Sequence, residues 1–140
     1  MKSNPYLSFR DNAREALGYY QSVFGGTTAI NTFAEFNASE EPDEQDLVMH
    51  GQLDSPAGIT LMLSDTPKSM EYTPGGSMSI SIGGYLSEKA EMEGFWEKLC
   101  DGGTAIMPLE TAEWGGLFGM VIDRYSVTWM VSISDDNETR

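Results

Sequence analysis

Residues 19–27 read Tyr19-Tyr20-Gln21-Ser22-Val23-Phe24-Gly25-Gly26-Thr27, and residues 95–104 read Phe95-Trp96-Glu97-Lys98-Leu99-Cys100-Asp101-Gly102-Gly103-Thr104. Each passage has two adjacent aromatics, two polar residues, an apolar pair and then Gly-Gly-Thr. The second carries one extra residue, Asp101. An apolar helix end followed by glycine and a β-branched residue is the pattern of a helix that stops and hands over to a strand. A 140-residue chain that writes this twice is read as two copies of one small module.

Upstream of the first copy, Tyr6 to Arg10 can form a strand after Pro5. Asn12 offers an N-cap, with Glu15 three residues on as a capping box requires. Ala13, Ala16, Leu17, Tyr20, Val23 and Phe24 then recur at helical spacing and define one apolar face. Downstream, Thr27 to Phe36 is β-branched and aromatic enough for a strand. The acidic stretch from Asn37 to Asp46 reads as a solvated connection. Leu47 to Leu53 and Ile59 to Ser64 are two further strands, joined by a breaker-rich turn at residues 54–58.

Around the second copy the order repeats. Residues 65–76 read as a linker between module one (5–64) and module two (77–133). Ser77 to Ile82 is a strand, and Ser87 caps a helix with Met92, Phe95, Trp96, Leu99 and Cys100 on its apolar face. Strands follow at Thr104–Leu109, Phe118–Ile122 and Val127–Ile133. Two helices segregated from a largely antiparallel set of strands make this an α+β chain.

Alternation along the strands separates the faces. Ser77, Ser79 and Ser81 share one face of their strand, with Met78, Ile80 and Ile82 on the other. Ile59, Leu61 and Leu63 suit the core, which places Met62 opposite. Val48, His50 and Gln52 fall together, so His50 and Gln52 are candidate site residues. His50 is the only histidine; it can serve as a general base, proton donor or single metal ligand, or as a hydrogen-bonded strand residue. Gln52 can orient a ligand through its amide. Glu113, near Glu110, can act as a base if held against an apolar site, or be a solvated loop residue. Trp114, beside Gly115 and Gly116, can stack on a planar ligand or pack on the sheet. Trp129 and Tyr20 are read as core.

Composition narrows the classes of function. Eight Lys and Arg face 22 Asp and Glu, for a formal net charge of −14. Such a field repels phosphate backbones and anionic membranes, so neither nucleic acid nor a membrane is expected as a partner. The single cysteine, Cys100, excludes an internal disulfide and is read as core. There is no signal-peptide pattern and no apolar run of membrane-spanning length, so a cytoplasmic location is expected.

Several runs bear a family likeness: Pro5 through Phe9, Ala16 through Tyr20, Val23 through Gly26, Val48 through Leu53, Leu61 through Asp65, Trp114-Gly115, and Asp123 through Met130. In this order, over nearly the whole chain, they resemble the PhnB-like branch of the vicinal-oxygen-chelate superfamily. That superfamily includes glyoxalase I, extradiol dioxygenases and bleomycin-resistance proteins. The resemblance implies two tandem βαβββ modules forming a curved, partly open mixed sheet, with a concave cleft and helices outside. It also implies a homodimer. Metal-dependent members draw four ligands, usually His, Glu or Gln, from four strands. The matching positions are approximately Pro5, Met62, Ser77 and Met130, a set that suits no divalent first-row metal. PhnB-like sequences are sometimes labelled demethylubiquinone methyltransferases, yet no glycine-rich strand-to-helix turn of the kind that holds an adenosyl cofactor occurs.

Two functions follow as expectations. The first is a metal-independent, cofactor-free protein that binds a small planar or aromatic molecule, using Gln52, Met62, Ser77, Ser79, Trp114 and Met130. The second is an isomerase, lyase or related enzyme with His50 and Glu113 as catalytic groups, which leaves open a divalent metal at a rearranged site.

Overall fold

A computed structural model describes residues 1–74 and 76–135. The chain divides into two compact units, Met1–Pro74 and Gly75–Arg140. In the first, β1 (Tyr6–Phe9) precedes α1 (Ala13–Phe24), followed by β2 (Thr27–Thr32), β3 (Val48–Asp54) and β4 (Thr60–Asp65). The sheet order is β1-β4-β3-β2, with β1 parallel to β4 and the other pairs antiparallel. The second unit repeats this with β5 (Ile80–Tyr85), α2 (Lys89–Cys100), β6 (Thr104–Thr111), β7 (Leu117–Ile122) and β8 (Thr128–Ser134). Its order is β5-β8-β7-β6, again with only the first pair parallel. The fold is α+β, built from two open four-stranded mixed sheets.

Each helix covers one face of its own sheet. All six apolar positions expected on α1 are buried, and α1 packs on β2, β3 and β4. Leu53, Leu61 and Leu63 meet it from the sheet side, all fully buried. In the second unit Met92, Val131 and Ile133 form a core cluster, with Ile82, Trp96, Leu109 and Leu117 packed against it, and Leu99 and Val121 are fully buried as well. Trp129 is fully buried and its indole N–H donates to the Asp123 carboxylate at 2.8 Å. Gly25, at the end of α1, has a φ of 70°, a conformation open to glycine and strained for other residues.

Several expectations change. Asn12 makes no side-chain cap on α1. The cap comes instead from Asp65, the last residue of β4, whose buried carboxylate accepts the Ala13 and Val48 N–H groups, each at 3.0 Å. Strand β2 stops at Thr32, because the register slips between Asn31 and Thr32 and the chain turns into a short 3₁₀ segment at Ala34–Phe36. The acidic connection holds a buried residue, Glu44, which accepts hydrogen bonds from the Ser39 hydroxyl (2.7 Å) and the Lys68 N–H (2.8 Å). Residues 66–73 are pinned by Arg10, which donates to the carbonyls of Pro67 (3.2 Å) and Met70 (2.6 Å) and lies 5.2 Å above the Tyr72 ring. Ser87 lies in a 3₁₀ turn, and the Glu88 carboxylate caps that turn by accepting the Tyr85 N–H at 3.1 Å.

The strand expected at Ser77–Ile82 begins at Ile80. Among the described residues its neighbour is β8, and pairing starts at Ile80 opposite Trp129. Pairing with β8 is seen only from Ile80 onward, so Ser77 and Ser79 lie outside the ladder. They and Met78 are exposed.

Candidate functional site

In the first unit the face away from α1 is polar. Tyr6, Met62, Gln52 and Ala29 align across β1, β4, β3 and β2. Asn31 lies opposite His50, and Ser8 opposite Ser64. The sequence grouped Val48 with His50 and Gln52. The register slip intervenes, and Val48 turns to the helix side and is fully buried. His50 and Gln52 remain half-buried on the polar face.

His50 is joined there by Tyr6, which the sequence reading passed over. The Tyr6 hydroxyl lies 3.2 Å from His50 Nδ1, with the rings 5.7 Å apart. Alternation along β1 carries the missing signal, since Phe9 is buried and Tyr6 and Ser8 lie on the row opposite Leu7 and Phe9. If Nδ1 carries the proton and donates to Tyr6, Nε2 is an open acceptor; if Tyr6 donates, Nε2 carries the proton. The Gln52 amide N–H₂ donates to the Asp54 carboxylate at 3.0 and 3.2 Å, which leaves its carbonyl oxygen for another group.

In the second unit the face away from α2 is softer. Ser81, Met130, Met120 and Met107 align across β5, β8, β7 and β6. In the next row Gly83, Ser132, Phe118 and Glu110 align. Met130 therefore sits on the expected face, while Ser81 holds the place expected of Ser77 or Ser79.

A cavity of about 400 Å³ opens at the β6–β7 end of this unit, lined by Ile106, Met107, Glu110, Glu113, Trp114 and Phe118, among others. The turn that carries Glu113 and Trp114 is closed by Ala112 N–H to Gly116 O (3.0 Å) and Gly115 N–H to Ala112 O (3.1 Å). Gly115 and Gly116 both have positive φ, at 93° and 69°. Trp114 remains 67% exposed and meets Phe118 edge to face, 5.7 Å between centroids at 66°. Glu110 was expected in a loop; it lies on β6, paired with Phe118, because β6 runs on to Thr111. Glu113 and Trp114 thus share one cavity, while His50, Gln52 and Met62 share the face of the other unit.

The four-ligand metal pattern can be tested on strand register. Met62 stands beside Tyr6, and Met130 beside Ser81. Pro5 contributes only its carbonyl, which accepts the Met62 N–H at 3.1 Å. Phenol, hydroxyl and thioether groups do not fit a divalent first-row ion of the kind bound by imidazole and carboxylate. Among the described residues, no three His, Cys, Asp or Glu side chains gather as a metal-ligating group. Cys100 is half-buried and burial pushes its thiol up, away from the thiolate form a nucleophile needs.

Comparison with known proteins places this geometry in a family. The chain is 36% identical to protein PA1353 from Pseudomonas aeruginosa, covering 97% of this chain and 99% of that one with a TM-score of 0.79. It is 24% identical to the PhnB protein from Bacillus cereus, whose description names 3-demethylubiquinone-9 3-methyltransferase, covering 96% and 100% with a TM-score of 0.70. A member of the glyoxalase/bleomycin resistance protein/dioxygenase superfamily from Sphaerobacter thermophilus shares the fold at 17% identity, 96% and 98% coverage and a TM-score of 0.58. The sequence model of the 3-demethylubiquinone-9 3-methyltransferase family matches residues 1–132. The chain belongs to that family, and it shares its fold with the PhnB protein and with the glyoxalase/bleomycin resistance protein/dioxygenase superfamily member.

Proposed function

We propose that this protein binds a small planar or aromatic molecule, and does so in the cavity of the second unit. The observation that carries the reading is the cavity itself. Its volume of about 400 Å³ suits a compact ring system, and it presents a largely exposed tryptophan on a turn closed by two backbone hydrogen bonds. The methionine row beginning at Met107 adds an adaptable apolar surface beside it. No four-ligand metal centre enters this reading. The family description names a methyl transfer, but β1 reaches α1 through Arg10, Asp11 and Asn12, and β5 reaches α2 through Leu86, Ser87 and Glu88. Neither turn is a glycine-rich cradle, so these residues do not fit an adenosyl cofactor.

Titration with a panel of two- and three-ring compounds tests the reading through tryptophan fluorescence and melting temperature. Saturable quenching is expected in the wild type, with at least a tenfold loss of affinity in Trp114→Ala. Trp129 is fully buried and should contribute little. A panel that moves neither signal, or one that binds equally well to Trp114→Ala, rejects the proposal.

The Tyr6–His50 contact supports a second reading, an isomerase or lyase in which His50 moves a proton. Here Nε2 faces the substrate and Tyr6 fixes the tautomer. In a substrate screen, His50→Ala should abolish any turnover and Tyr6→Phe should shift its pH profile. Turnover that survives in His50→Ala removes this reading.

A further inference from the structure

We infer that the molecule taken by the second unit's cavity is a planar aromatic cation. This rests on the planar-ligand reading and adds the charge.

Two carboxylates, Glu110 and Glu113, line the cavity, and among the described residues no Lys, Arg or His side chain does. Neither carboxylate has a hydrogen-bonding or ionic partner among the described residues. They stand on different local structures. Glu110 is fixed on β6 opposite Phe118, and Glu113 is carried by the closed turn beside Trp114. Each ring of the aromatic pair therefore has an acidic neighbour, Phe118 across the strand pair and Trp114 along the turn.

The rings strengthen the same preference. The face of an aromatic ring is the negative end of its quadrupole, and tryptophan gives the strongest attraction for a cation. The 66° inclination of Trp114 to Phe118 makes a corner rather than a stack and leaves much of the indole open. A flat cation on that surface meets ring faces and carboxylates together. A neutral ring of the same shape keeps the stacking and forgoes the charge. An anion meets two carboxylates with no compensating cation, in a chain of net charge −14.

Three probes of one shape separate these terms at pH 7.5: 1-methylquinolinium, neutral quinoline and quinoline-2-carboxylate. Tryptophan quenching and calorimetry should show the cation binding at least tenfold more tightly than quinoline, and no saturable binding of the anion. In the Glu110→Gln/Glu113→Gln double variant the preference should fall below threefold while quinoline binds as before. Equal binding of cation and neutral ring by the wild type overturns the charge inference and leaves the planar-ligand reading standing. A cation preference that survives undiminished in the double variant overturns it too, because the two carboxylates then do not set the preference. Failure of all three probes, with the wider panel silent as well, removes the planar-ligand reading and this inference with it.

Discussion

Asp65 shows how one residue can join distant segments of a chain. It is 3% exposed, and its carboxylate closes the N-terminus of α1 through Ala13 while holding the start of β3 through Val48. A negative group at that end of a helix is favoured by the exposed N–H groups there. Asp65→Ala leaves two buried donors without an acceptor, each costing about 1–3 kcal/mol. Urea unfolding should show a loss on the order of 2–4 kcal/mol. A loss under 1 kcal/mol would mean that water or Asn12 takes over the cap. In the second unit Asp123 does a different task. It accepts the Tyr125 and Val127 N–H groups and the Trp129 indole, and so shapes the turn before β8.

At the scale of elements, the two units share a device that neither repeated passage displays. Gly51 on β3 and Gly119 on β7 lie opposite Leu63 and Val131 in corresponding registers. Each sits beneath its helix. A methyl group added to Gly51 would lie 2.9 Å from Leu63 Cδ1 and 3.3 Å from Leu17 Cδ2; one added to Gly119 would lie 2.7 Å from Trp96 Cη2 and 3.0 Å from Leu109 Cα. The missing side chains let helix and sheet approach closely. Gly119→Ala forces the Trp96 ring or the β6 backbone to move, and overpacking of this kind costs about 1–3 kcal/mol. Thermal melts should show that loss. A Trp96→Leu background should recover part of it by relieving the clash. No recovery would place the strain in the backbone at Leu109.

For the whole molecule, 22 acidic residues against eight basic ones make acid behaviour informative. Glu44 has its carboxyl held below the ordinary glutamate range, first by the Ser39 hydroxyl and then by the Lys68 N–H. A group with a lowered folded-state value stabilises the fold fully above its unfolded value, roughly 4.3, and loses that contribution as pH falls through the folded value. Glu44→Gln should therefore be less stable than wild type by a constant margin between pH 7 and 5. The margin should narrow below about pH 4. Denaturant midpoints across that range decide the matter, and a margin that widens on acidification contradicts the assignment. Asp43, paired with Lys68 nearby, is lowered by the same ammonium group that its own charge holds protonated.

Much of this was legible in the residues. The doubled helix end and its glycine stop, the apolar face of α1, the Met92 and Leu99 positions of α2 and the alternation in β4 are local patterns. Local sequence is enough to fix them, because helix and strand periodicity depend on neighbours along the chain. Three matters were decided by tertiary structure. Asp65 replaced Asn12 as the cap because the fold brings a carboxylate from β4 to the helix end. The slip at Asn31/Thr32 separated Val48 from His50, because a bulge depends on the partner strand. Ser77 and Ser79 fell outside β5 because strand ends are set by pairing with a neighbour, and pairing with β8 begins only at Ile80. The cavity that unites Glu110, Glu113, Trp114 and Phe118 belongs with these. Its walls come from two strands and a turn, and strand pairing adds Phe118 to Glu110, Glu113 and Trp114, which are already close along the chain.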